Sequence, residues 1–285
     1  MAKAGKIGEI KQSTSVKIAV AAVVIPTLAF MLAPLFWALS MSFKREGDVF
    51  KLPLLYIPNP ATFENYTKSW FSYDFGQYFS NSLRVAIVAT LFILLLAVMN
   101  GYALSRYKFK GKSAFMLLLL STQMLPGVFI LVPLFIIFRS VGLVNSLNGV
   151  TLAYIGFGIP FNTLLMYGFI NGVPTAIDEA AMVDGAGRFR VISTIILPLI
   201  APGLVATGAY AFISCWNEFF TAFALITSRV HFTISVALRL LMAESSVNLA
   251  LMSAQCIIAL IPPLLMFALI QKHLVAGLTT GAVKS

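Results

Sequence analysis

Six apolar stretches of about 20 residues or more divide this chain, and they leave few folds open to it. They are Ile18–Phe43, Val85–Leu104, Ala114–Phe138, Gly149–Ile170, Leu199–Phe223 and Leu249–Gln271. At a helical rise of about 1.5 Å per residue, each is long enough to cross the hydrocarbon core of a bilayer. Charges or Gly-, Pro- and Asn-rich turns bound every one. An open sheet would leave backbone groups unpaired in lipid, so helix is the expected form. Strand-like alternation is absent. The expectation is an all-α membrane protein with six transmembrane helices.

Composition points the same way. Of 285 residues, 59% are hydrophobic and only 11% are charged. A soluble domain of this length lacks the interior volume to hide so much apolar surface. The lipid bilayer is therefore part of the solvent. A net charge of +10 could suggest nucleic acid. The Lys and Arg residues are instead scattered between apolar runs and form no basic face, so no nucleic acid is expected. Cys215 and Cys256 lie inside apolar runs, no CxxC pair occurs, and His231 and His273 stand far apart. They read as apolar fillers, with no metal site. The first apolar run is about 26 residues, too long for the core of a signal peptide.

Orientation follows from Lys and Arg in the short loops, which favour the cytoplasm. Lys3, Lys6, Lys11 and Lys17 precede the first span. Arg106, Lys108, Lys110 and Lys112 fill the turn Ser105–Ser113. Arg188 and Arg190 follow the fourth span, and Lys272 and Lys284 follow the sixth. All four groups fall on one side if both termini are cytoplasmic. The chain then divides into a cytoplasmic tail at 1–17, a six-helix domain at 18–271 and a second cytoplasmic tail at 272–285. The outer loop Lys44–Ser80 is rich in aromatics, including Tyr56, Tyr66, Trp70, Phe71, Tyr73, Phe75, Tyr78 and Phe79, which suits an interfacial belt. A second outer segment, Ser228–Val247, holds an amphipathic stretch from Ser235 to Glu244 that is too short and polar to span.

The cytoplasmic segment 172–198 exceeds the few polar residues that a connector needs. Pro174 stops the fourth span. Thr175 and Asp178 have capping-box spacing, so a new helix is expected there. Asp178 and Glu179 in its first turn suit the helix dipole. Ala180 and Ala181 give a thin face that another surface can approach. Gly185 suits a left-handed exit. Phe189, Ile192, Ile195 and Ile196 then form an apolar stripe at helical spacing. The expected product is a helix–turn–helix on the cytoplasmic face, either a knob that docks into a soluble partner and carries its motion to the spans or an interfacial helix with no partner.

The residues Glu179-Ala180-Ala181, then Asp184-Gly185-Ala186, then Ile195 and Pro198, resemble the coupling loop of ABC-importer permeases. Ile192 stands where the carbohydrate branch often has Phe, and it keeps the stripe apolar. Other segments are similar to the carbohydrate branch: Pro58-x-Pro60-x-Thr62-Phe63-x-Asn65-Tyr66, Tyr102-Ala-x-x-Arg106-x-x-Phe109-x-Gly111-Lys112, and Trp216-Asn217-Glu218-Phe219. The end, Gly277 to Lys284, resembles the tail of the smaller permease subunit of maltose-type transporters. The resemblance implies a type I ABC-importer permease fold. It also implies a second homologous permease, two ATPase subunits and an extracytoplasmic sugar-binding protein, in the cytoplasmic (inner) membrane of a bacterium or archaeon. Coupling to the ATPases would then fall on Glu179, Ala180, Ala181, Asp184, Gly185, Ala186 and Pro198. Ser235, Leu238, Leu241 and Met242 would meet the binding protein.

No GxxxxGK[ST] segment occurs, so ATP and Mg are expected on the partner ATPases, with no cofactor on this chain. No nucleophile–base constellation occurs either, and the chain is expected not to be an enzyme. A sugar pathway needs polar and aromatic groups among apolar walls. Gln123, Asn162, Trp216, Asn217, Glu218 and Gln255 lie in the spans and are the candidates, beside Asn100. Polar residues in spans also serve as helix–helix glue. An ionisable one such as Glu218 is a functional candidate by default. The pair Gly168 and Gly172 suggests a close helix contact. Two other readings remain at this stage. One is a permease for a non-sugar solute on the same fold. The other is an ion-coupled secondary transporter, which would need paired inverted repeats and a carboxylate relay.

Overall fold

Four of the six apolar stretches fold as single helices long and apolar enough to cross a membrane: α1 (Thr14–Ser42), α3 (Phe75–Arg106), α6 (Leu147–Asn171) and the segment Leu249–Gln271 of α13 (Leu249–Gly281). The computed structural model describes residues 14–242 and 248–281, with side chains through Gln271. Lys3, Lys6, Lys11, the Lys272 side chain, Ala243, Glu244 and the tail motif's Ala282 to Lys284 lie outside the described residues. Among the described residues every regular element is helical.

The third and fifth stretches are not single rods. The third divides into α4 (Lys112–Met124) and α5 (Gly127–Ser140), bent by 100°. Pro126 has no N–H to give and forces Leu125 into extended backbone, at φ −79 and ψ 124. The fifth begins as a short segment, Arg188–Leu199, and turns by 86° into α10 (Ala201–Asn217). Ile200 carries that turn, with Pro202 in the first turn of α10. The expected fifth span ran on to Phe223. It is cut at Glu218, whose backbone is extended, before α11 (Phe220–Leu225). Among the described residues four helices are long and apolar enough to cross a membrane, or up to six where each bent pair counts as one. At the far end, α13 continues past Gln271 to Gly281, beyond the boundary expected for a tail.

Two compact units make up the chain. The first holds 1–67 and 248–257. Here α1 is apolar on every side and exposes most of its surface. Its end is tied to the loop that follows. The Asn65 side chain donates to the carbonyls of Ser42 and Lys44 at 2.8 and 2.7 Å, and Phe43 packs on Phe63 and Tyr66. The resembled segment around Thr62–Tyr66 is thus a structural anchor.

The second unit holds 68–247 and 258–285. Its centre is α3 against α6, with α10 beside them. Ala86, Ala89, Ile93, Ala97 and Gly101 lie at steps of three or four and form one buried face of α3. At Gly101 a Cβ would stand 2.8 Å from the Tyr167 backbone nitrogen, so only glycine permits this approach. The expected contact at Gly168 and Gly172 is not seen among the described residues: a Cβ at Gly168 would meet nothing within 4 Å, and one at Gly172 would meet only the carbonyls of Phe169 and Gly168. Asn100 donates to the Thr163 hydroxyl at 3.5 Å, the interhelical glue expected of such residues.

Candidate functional site

The segment after α6 forms two short helical elements joined by a tight turn. The first is α7 (Thr175–Val183). Gly185 has φ +83, its N–H donates to the Met182 carbonyl at 3.1 Å, and the Ala186 N–H reaches back to Ala181 at 3.0 Å. That pair of bonds is a Schellman C-cap, which needs a left-handed residue where glycine stands. The second element begins as α8 (Arg188–Val191) and widens into a π-helical turn over Ile192–Ile196, followed by α9 (Leu197–Leu199).

Glu179, Ala180, Asp184 and Gly185 are exposed, Pro198 too, while Ala181 and Ala186 are half-buried. Val183 is 87% and Phe189 is 83% exposed. Phe189 therefore lies off the apolar stripe expected for it. The π turn sets the face at a spacing of five, so Val191 and Ile196 are the buried pair, packed with Val98, Tyr102, Met166 and Ile170. Ile192 and Ile195 are half-buried.

The expected capping box is not formed. Pro174 holds the N-cap position and no side chain caps α7. Asp178 instead turns inward to Arg106, the last residue of α3. The Arg106 Nε and Nη2 donate to its two carboxylate oxygens at 2.7 and 3.3 Å. Both side chains are buried, at 8% and 4% exposure. A buried charge pair outweighs a solvent-exposed cap because neither charge can be left unpaired. Arg188 adds a second tie, its guanidinium 5.0 Å from the centre of the Tyr107 ring. Sequence reading took Arg106 as a topology charge and as part of the segment resembling the carbohydrate branch, with no partner assigned. Its partner lies 72 residues away, and no local spacing signals such a pair.

A second feature lies where the helices break. A cavity of about 130 Å³ is lined by Gln123 at the end of α4, by Tyr154, Phe157, Phe161 and Asn162 of α6, and by Tyr210 and Ser214 of α10, with Glu218 at the helix end. An adjoining groove of about 390 Å³ shares Gln123, Phe157 and Glu218. The Asn162 side chain is buried and donates to the Gly158 carbonyl at 2.7 Å, but its amide oxygen has no partner among the described residues. The Glu218 carboxylate accepts the backbone N–H groups of Thr221 and Ala222 at 2.8 and 3.3 Å. The Tyr154 hydroxyl donates to the Glu218 carbonyl at 3.2 Å.

Three of the six pathway candidates, Gln123, Asn162 and Glu218, therefore share one cavity. Trp216 does not line it. Its ring is buried beside Phe79 and Phe212, and its Nε1 donates to the Ala259 carbonyl at 3.1 Å. Asn217 is exposed outside the cavity lining. Gln255 belongs to the first unit, fully buried, with neither amide atom partnered among the described residues. Tyr154, Tyr210 and Ser214 were missed, since an isolated hydroxyl in an apolar run carries no spacing signal.

Residues 93–280, which include the hairpin and the cavity, match the family of the binding-protein-dependent transport system inner membrane component. This chain belongs to that family.

Full-length relatives extend the likeness of this inner membrane component. It is 34% identical over 251 residues to the diacetylchitobiose uptake system permease protein DasC of Streptomyces coelicolor, covering 88% of this chain and 91% of that one. It is 32% identical over 256 residues to the trehalose/maltose transport system permease protein MalG of Thermococcus litoralis, covering 89% and 91%. Its fold is similar to a chain of a bacterial ABC transporter involved in import of the acidic polysaccharide alginate. That likeness has a TM-score of 0.78 and 24% identity, and it covers 92% of this chain and 98% of that one.

The segment of this inner membrane component that was expected to face outward contains α12 (Ile234–Leu241). The Ile234 N–H donates to the Ser82 hydroxyl at 2.8 Å, and the Ser235 hydroxyl donates to the Trp216 carbonyl at 3.2 Å. Ser235 thus makes an internal tie and is half-buried. Leu238 and Leu241 are half-buried, and Met242 is 54% exposed.

Proposed function

We propose that this chain is one of two permease subunits of an ATP-driven, binding-protein-dependent sugar importer in a bacterial or archaeal cytoplasmic membrane. It crosses the membrane six times with both termini cytoplasmic, forms half of the translocation pathway, and has no nucleotide site of its own. Two ATPase subunits bind ATP and Mg and drive it. A second homologous permease completes the pathway, and an extracytoplasmic binding protein delivers the sugar.

The observation that carries this reading is the exposed helix–turn–helix at 175–199. Glu179, Ala180 and Val183 face solvent on one side, while Val191, Ile196 and the Arg106–Asp178 pair fix the other side to the helix bundle. A rigid knob with a free apolar face suits a docking element for a soluble motor. Sugar is favoured as cargo by relatives named for uptake of diacetylchitobiose and of trehalose or maltose. The test is uptake of labelled maltose, trehalose and diacetylchitobiose by cells deleted for this chain and by cells with it restored. Restoration of uptake of at least one sugar is expected. Identical uptake of all three with and without the chain overturns the reading.

A further inference from the structure

Two helix breaks face the same cavity. The end of α4 brings Gln123, and the end of α10 brings Glu218. Irregular backbone at membrane depth persists only where protein buries it or a polar cavity lies beside it. Breaks of this kind collect at substrate sites because they free polar groups that intact helices consume.

We propose that this cavity and the adjoining groove form a subsite for one neutral hexopyranose unit of the transported saccharide. The inference rests on the sugar reading above. It adds where the sugar touches this chain and which sugars the chain refuses.

Size limits what enters: at about 30 Å³ per water the cavity of about 130 Å³ holds about four waters, room for part of a sugar ring, and the rest of the ring lies in the adjoining groove of about 390 Å³. The cavity walls suit the same ligand. Phe161 and Tyr210 stand together at 4.8 Å between ring centres with their planes tilted by 46°, an aromatic corner against which the C–H face of a sugar can pack. Hydroxyls need partners that the protein has not already used. The Asn162 amide oxygen is an unused acceptor. The Tyr210 and Ser214 hydroxyls line the same space. A few convergent polar groups on an aromatic wall are what orient a small ligand in such a cleft.

Charge decides the class of sugar. Among the described residues no Lys, Arg or His lines the cavity or the groove, and Glu218 is the one acidic side chain in both. A uronate or sulfonated sugar would bring a second negative charge beside Glu218 with no cation to offset it. Neutral sugars meet no such penalty and can donate hydroxyls to the carboxylate.

The test uses the complete transporter in proteoliposomes with its binding protein and labelled maltose, trehalose and diacetylchitobiose. Sugar moved per ATP hydrolysed is compared between wild type, Ser214→Trp, which fills the cavity, and Asn162→Leu, which removes the free acceptor at nearly constant size. Copurification of all subunits reports assembly. The ratio should fall at least tenfold in Ser214→Trp and at least threefold in Asn162→Leu. In parallel, saturation-transfer NMR on the purified complex without binding protein compares maltose with galacturonate. Maltose should give a signal that Ser214→Trp removes, and galacturonate should give none. If the wild type moves none of the three sugars, the sugar reading falls and the subsite with it. If it moves them and both variants keep the wild-type ratio, the subsite alone is overturned. A galacturonate signal equal to that of maltose overturns the charge argument.

Discussion

Arg106 at the end of α3 grips Asp178 in the first turn of α7 through two guanidinium bonds, both ends buried. The longest described helix of the second unit is thereby tied to the exposed hairpin proposed to meet the motor. That same helix carries Ile93 in the cavity wall.

Breaking that pair should loosen the knob. Removing one partner of a buried ion pair costs about 3–5 kcal/mol, because the other charge is stranded. Arg106→Ala and Asp178→Leu should each raise hydrogen exchange over 175–199 and lower binding-protein-stimulated ATP hydrolysis several-fold. The double variant Arg106→Met with Asp178→Leu should recover part of the protection, since no lone charge remains. Exchange at wild-type levels in both single variants would contradict the link.

Gly185 should tolerate no β-branched residue. Its φ of +83 closes the α7 cap. A bulky L residue there costs about 1–2 kcal/mol, and β-branching makes it worse. Gly185→Val should leave the spans inserted, weaken retention of the ATPase subunits and reduce uptake. Gly185→Asn should be milder, since asparagine accepts left-handed backbone more readily. Retention on a purified complex and sugar uptake in proteoliposomes check both variants.

Topology can be tested with single cysteines and a membrane-impermeant thiol reagent on intact cells. Lys110 and Ala186 lie on the side read as cytoplasmic, and Met242 on the side read as outer. Cysteine at 242 should react, and cysteines at 110 and 186 should react only after permeabilisation. Labelling of position 186 in intact cells would invert the assignment.

The outer helix α12 should act through its exposed edge. Leu240 and Met242 are exposed, whereas Ser235 is spent on the Trp216 carbonyl. Met242→Asp should weaken stimulation by the binding protein about tenfold, as loss of a central apolar contact does. Ser235→Ala should lower stability by about 1 kcal/mol, one hydrogen bond, with stimulation intact. Thermal denaturation and a binding-protein titration of ATP hydrolysis separate the two effects.

The sequence alone determined the helical membrane class, the positions of the apolar stretches and the hairpin after α6 with its glycine exit. These are legible because each rests on local physics: lipid demands long apolar helices, and a left-handed cap demands glycine at one place. It also named Gln123, Asn162 and Glu218, because polar groups in apolar runs stand out. Only the tertiary structure decided the rest. Pro126 was visible, but whether it would bend its helix by 100° or be absorbed depended on what packs around it. Trp216 and Gln123 look alike as candidates until packing buries the indole and opens the amide to a cavity. Arg106 and Asp178 each had an adequate local role, as a topology charge and a cap. Burial overrode both, because a charge removed from water must find its opposite charge wherever the fold has placed it.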